Sequence, residues 1–104
     1  QLFQSQIFFM LYSNKLLFMN INELIEIVKS KIEAEIVMQD FKIEDKSFLH
    51  KNHKGNQEGM FHLKLIIKSD ELKKLNKIES TKKIYNILDH ELKEHIHSIQ
   101  ILLS

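Results

Sequence analysis

The sequence predicts an α/β (α+β) fold, a two-layer αββααβ arrangement with a three-stranded mixed sheet and its helices on one face. Three observations predict it. Apolar and polar residues alternate with the period of a strand in three runs, at 36–44, 61–68 and 96–103. Segments with helical spacing lie before the first run and between the second and third. The only two glycines, Gly55 and Gly59, fall in one polar stretch between the first two runs. That stretch makes the first two strands an antiparallel hairpin. The third run follows two helices, a crossover that returns parallel and right-handed.

Residues 1–18 differ from everything after them: they carry one charge, Lys15, and no acid. The apolar run at 7–12 is far too short to span a bilayer. We read 1–18 as a dispensable N-terminal extension before Met19, and 19–104 as the domain. Deleting 1–18 is expected to leave the melting temperature nearly unchanged. A drop of many degrees would mean that Phe8 or Phe9 plugs the core.

From residue 20 the pattern becomes regular. Asn22 is the expected cap of a helix whose buried face is Ile21, Leu24, Ile25, Val28 and Ile32. In the first strand, Val37, Gln39, Phe41 and Ile43 alternate with Met38, Asp40, Lys42 and Glu44. A polar loop covers 45–59. In the second strand Phe61, Leu63, Leu65 and Ile67 share a buried face, opposite His62, Lys64 and Lys68. A short helical turn spans 69–75. A longer helix over 81–93 buries Ile84, Ile87, Leu88 and Leu92. The closing strand places His97, Ile99 and Ile101 on one face.

Composition removes several kinds of chemistry. The chain has no Cys, which excludes disulfides, thiol nucleophiles and metal sites built on its own thiolates. A disulfide-free small domain fits a reducing compartment, and a cytoplasmic location is expected. Lys and Arg together number 15 against 14 acidic residues, and every one of the cations is Lys. A net charge of +1 is no electrostatic footprint for nucleic acid, and without Arg there are no bidentate forks for guanine edges.

The six histidines are the remaining soft ligands. With the third strand parallel to the second, both begin at the end of the sheet where the hairpin loop arrives. His50 and His53 in the loop, His62 at the start of strand two, and His95 and His97 at the start of strand three are expected to converge there, with His90 left out. A lone loop histidine is usually just solvated, and one at a core edge is usually a hydrogen-bonded structural residue. Convergence raises His97 plus one loop histidine to the leading candidate ligands, with His62 and His95 as additional ones.

These residues resemble a known family. The loop run Asp45-Lys-Ser-Phe-Leu-His50-Lys-Asn-His53 is similar to the BolA signature of Asp-x-Ser followed by His-x-x-His. The stretch from His62 to Ser69 resembles that family's His-Phe-x-Val strand ending in Ser. Ile84-Tyr85 with Leu88 and Leu92 resembles its long helix, and Ile96-His97-Ser98-Ile99 its closing Val/Ile-His-Ala-Leu strand. The resemblance runs from about Met19 to Ser104. It implies a fold related to the type II KH domain and a non-enzymatic role as the partner of a monothiol glutaredoxin. It further implies a bridging [2Fe–2S] cluster, held by thiolates from glutaredoxin and glutathione and by imidazole from this chain. His97 matches the expected closing-strand ligand, with His50 or His53 as the second. Histidine at one iron raises the potential relative to all-thiolate ligation.

Two departures from the family pattern lie in the segment credited with DNA contact in some members. Ser80-Thr81 stands where Arg-His is usual, and Leu72-Lys73-Lys74 where Phe-x-Gly is usual. Two other functions compete. From Lys68 to Lys83 the chain holds six Lys against Asp70, Glu71 and Glu79. Lys74, Lys77, Lys82 and Lys83 are therefore the candidate contacts of a DNA-binding, stress-responsive regulator. The inter-helix turn at 75–80 lacks the Gly-x-x-Gly clamp of RNA-binding KH domains. Hydrolysis at a three-histidine zinc would need a general base such as Glu58 or Glu94, whose spacing is not diagnostic.

Overall fold

Asn20 starts the first helix. In the computed structural model, which describes residues 19–47 and 60–104, helix α1 (Ile21–Glu35) is capped by Asn20 and not by Asn22. Asn20 Oδ1 accepts from the Glu23 N–H at 2.9 Å, and Asn20 Nδ2 donates back to Glu23 Oε1 at 3.2 Å. This reciprocal pairing satisfies a donor that the helix leaves open. Met19 precedes the cap and Leu24 follows it by one turn, and both are buried, as in a hydrophobic staple.

Strand β1 (Asp40–Asp45) starts four residues later than the alternation at 36–44 suggests. The reason is competition for hydrogen bonds. Glu71 Oε2 accepts from the Val37 N–H at 2.7 Å, and Ser69 Oγ donates to the Val37 carbonyl at 2.7 Å. Gln39 Oε1 accepts from the Asp70 N–H at 2.8 Å. Val37 and Gln39 are thus tied to the segment after β2, and the Val37 side chain is left exposed. These bonds also set a pH dependence. The Val37 N–H, and secondarily Lys83 and Lys74, hold the Glu71 carboxyl below its usual value of 4.5. As pH falls through 4.5 the unfolded chain takes up that proton first, so the stabilisation is present above 4.5 and is lost below it. Acid titration of Glu71→Gln, followed by thermal melts, is expected to show a flatter decline there than wild type.

Strands β1, β2 (Phe61–Lys68) and β3 (Ile96–Leu103) lie in the order β1-β2-β3. The first pair is antiparallel and the second parallel, as the hairpin and the crossover require. Leu63, Leu65 and Ile67 sit beside Ile99, Ile101 and Leu103 on the covered face. They pack with Leu24, Val28 and Ile32 of α1 and with Ile84 and Leu88 from the crossover. The opposite face carries His62, Lys64 and Ile66 in register with Ser98, Gln100 and Leu102.

The crossover contains α2 (Asp70–Lys73), α3 (Lys77–Ile87) and α4 (Asp89–Glu94). The single helix expected over 81–93 is therefore two. It starts earlier because Asn76 Oδ1 accepts from the Glu79 N–H at 2.8 Å, and it breaks at Leu88, whose φ of −99° and ψ of 17° leave the helical region. Leu88 stays in the core. The buried stripe continues to Glu91, 3% exposed, where Ile87 and Leu92 are only half-buried. Lys31 Nζ meets both Glu91 oxygens at 2.7 and 2.9 Å. A buried carboxylate needs such a partner, and this one joins α1 to α4.

Candidate functional site

At one end of the sheet, short-range hydrogen bonds lock the base of the connection between β1 and β2. Asp45 Oδ1 accepts from the Ser47 N–H at 2.9 Å, closing an Asx turn. Ser47 Oγ accepts from the His62 N–H at 3.1 Å, and the Lys46 N–H donates to the His62 carbonyl at 2.7 Å. Asp45 and Ser47 therefore hold the first residues of the loop against His62. His50 and His53, the loop candidates, lie outside the described residues.

The start of β3 is irregular, and the irregularity positions the site. Phe61 is opposite Ile96, yet His62 is opposite Ser98. One residue, His97, is left over as a β-bulge. The strict alternation that placed His97 with Ile99 and Ile101 on the core face does not hold. Ile96 takes the core position at 2% exposed, and His97 is exposed. The spacing of the core residues Ile96, Ile99, Ile101 and Leu103 carries this signal. Its first interval is three residues where a regular strand has two.

The bulge brings His97 to His62. Their ring centroids are 5.0 Å apart with the planes tilted by 55°. Two imidazoles on one tetrahedral ion, with metal–nitrogen bonds of about 2.0–2.1 Å, have centroids about 5 Å apart, so the spacing suits a shared ligand. His62 is 4% exposed, and its Nδ1 lies 2.6 Å from Ser98 Oγ. The Ser98 hydroxyl holds the His62 ring in place, as a hydrogen bond to the second ring nitrogen orients ligating histidines. Ser98 was not singled out in the sequence. Among the described residues no group of three or more His, Cys, Asp or Glu side chains is placed to hold a metal ion.

His95 goes elsewhere. It is 6% exposed, and its ring packs edge-on against His90 at 6.2 Å. Among the described residues, the expected convergence therefore reduces to His62 and His97, while His90, expected to stand apart, pairs with His95. His95 Nε2 is buried without a hydrogen-bond partner. Burial, reinforced by His90 and opposed by Glu94 and Glu91, pushes its pKa below the usual 6.5, which keeps the ring neutral.

Of the lysines of the competing reading, Lys74 directly follows α2 and the other three lie on α3. Lys74, Lys77 and Lys82 are exposed and form no ion pair with the described residues, whereas Lys83 meets Glu71 at 3.5 Å. Ser80 is buried, and its Oγ donates to the Leu72 carbonyl at 3.1 Å. It pins α3 to α2 and offers nothing to a nucleic acid. Among the described residues, no helix is long and apolar enough to cross a membrane.

Comparison with known proteins identifies relatives of this arrangement. The family model described as BolA-like protein matches residues 32–104. The DNA-binding transcriptional regulator BolA of Haemophilus influenzae is 31% identical over 78 residues, which cover 75% of this chain and 73% of that protein. Among solved structures, the BolA domain of SufE1 from Arabidopsis thaliana superposes with a TM-score of 0.63 at 28% identity, covering 74% of this chain and 85% of that one. BolA1 from the same plant gives a TM-score of 0.64 at 25% identity, with the same coverage of each chain.

Proposed function

The chain belongs to the BolA-like protein family, and from that membership we propose that it is a non-enzymatic adaptor that binds a monothiol glutaredoxin and shares a [2Fe–2S] cluster with it and with glutathione. The observation that carries this reading is the His62–His97 imidazole pair at the β3 bulge, in a chain that has no thiol. Such a cluster takes four protein or thiol ligands, and imidazoles at one iron are an established alternative to thiolates. This chain offers only imidazole, so the thiolates come from the partner side. A cluster held in this way serves iron–sulfur trafficking or iron and redox regulation.

Each histidine then has a separate task. His97, exposed on the bulge, is the ligand presented to the partner. His50 or His53 supplies the second imidazole, from a loop whose base is fixed by Asp45 and Ser47. His62 is the additional candidate beside His97, oriented by Ser98. His95, buried and neutral against His90, supports the junction between α4 and β3.

Anaerobic reconstitution tests the reading. A purified monothiol glutaredoxin, glutathione, iron and sulfide are combined with and without this chain, and the visible absorption and circular dichroism are recorded. Addition of the chain is expected to convert the glutaredoxin spectrum to that of a mixed, histidine-ligated species that co-elutes with both proteins. An unchanged spectrum and separate elution would overturn the proposal.

A second reading is favoured by the Haemophilus relative, named as DNA-binding, together with the exposed Lys74, Lys77 and Lys82, which form no ion pair with the described residues. Phosphate contacts by these three would give duplex affinity a log–log salt slope of about −0.9 per contact. Salt-independent or absent binding would remove this reading and leave the first intact.

A further inference from the structure

Beside the imidazole pair, on the open face of the sheet, lies a groove of about 340 Å³ lined by Lys46, His62, Lys64, Ser98 and Gln100. Its charges are unbalanced. Glu44, directly across the ladder from Lys64, lies 4.0 Å from the Lys64 ammonium and 3.9 Å from that of Lys46. Both separations are too long for a hydrogen bond, so one carboxylate is shared loosely between two ammonium groups. Among the described residues one unit of positive charge is left over. The three side chains are only 25–33% exposed, so water screens that charge incompletely. Neutral donors complete the groove. The Ser98 hydroxyl, 2.6 Å from His62 Nδ1, and the Gln100 amide supply them.

We infer that this groove is an anion subsite that receives a carboxylate from the partner side of the shared cluster. Lys46 and Lys64 are its ammonium donors, and Ser98 and Gln100 its neutral ones. The inference rests on the adaptor reading and adds to it the chemistry of what lies next to the imidazoles. A monoanion matches the single surplus charge. A phosphate dianion would overfill it and force a second negative charge against Glu44. The carboxylate has two sources, glutathione or an acidic side chain of the glutaredoxin.

The test compares Lys46→Gln/Lys64→Gln with the control Lys42→Gln/Lys68→Gln, which removes the same charge from the same face of the sheet. Each variant is titrated into cluster-loaded glutaredoxin at several NaCl concentrations, with far-UV circular dichroism confirming the fold. The groove variant is expected to need roughly tenfold more protein for half conversion of the visible spectrum, with a flatter salt dependence. The control is expected to shift by less than about twofold. Equal shifts in the two variants, or none in either, would overturn the subsite while leaving the adaptor role standing. Failure of the wild-type chain to convert the spectrum would overturn both.

Repeating the titration with clusters assembled on glutathione monoethyl ester identifies the source. If the ester weakens the wild type but not the groove variant, the carboxylate is glutathione's. If it affects both alike while the groove variant stays weak, the carboxylate is the glutaredoxin's.

Discussion

His97→Ala is expected to abolish the mixed cluster with glutaredoxin while the cluster-free protein remains folded. The side chain is exposed and sits on a bulge, so its removal takes nothing from the core and no partner from the ladder. Surface changes of this kind cost within about 0.5 kcal/mol. The bulge nevertheless fixes the backbone on both sides, through Ile96 in the core and Ser98 in register with His62, so the imidazole is carried by a backbone held in place. His50 and His53 stand three residues apart in the sequence, so either can replace the other. His50→Ala or His53→Ala alone is therefore expected to loosen the complex, and the double change to be severe. Visible absorption of the reconstituted complex reports all four variants. A wild-type spectrum and lifetime in His97→Ala would make His62, whose ring is 5.0 Å away, the ligand to test next.

Leu65→Ala is expected to have the largest effect on stability. Leu65 lies at the middle of the central strand, between Ile43 and Ile101, and is 0% exposed. Truncating such a leucine removes its transfer free energy and leaves a cavity, at a cost of about 2–5 kcal/mol. For a domain of this size that lowers the melting temperature by on the order of 10–25 °C. Val37→Ala is the matching control. Val37 is 70% exposed and its change is expected to stay within about 0.5 kcal/mol. Urea unfolding measures both, and a loss below about 1 kcal/mol for Leu65→Ala would mean that the sheet does not carry the core.

The strand order and the direction of β3 were legible in the sequence because two periods, the hairpin loop and the two-helix crossover leave few other topologies. Details set by competition between hydrogen bonds were not. Asn20 and Asn22 are equally good caps on paper, and only Glu23, placed to answer Asn20, decides between them. Residues 36–39 alternate like a strand, but Glu71 and Ser69 take both backbone groups of Val37, and the Ile36 N–H still bonds back to Ile32 in the helix. Glu91 reads as a surface residue until Lys31, sixty positions away, is brought beside it. The histidine end was half legible. Topology brought His62 and His97 to one end, but a period-two reading assumes an unbroken ladder and so put His97 on the wrong face. The topology grouped His95 with them as well, as a residue at the start of β3, although its ring packs against His90.

The extra residue in β3 separates two demands that a strand position normally combines. A side chain in a regular ladder must suit the surface it faces, and any change in it is felt by its neighbours across the strand. Position 97 has no opposite residue in the ladder and its side chain is exposed, so folding constrains it less than it constrains a paired position. Under the adaptor reading, selection at that position then answers to the docking partner more than to the fold, and a change of partner chemistry is open to the chain through a single codon without a compensating change in the sheet.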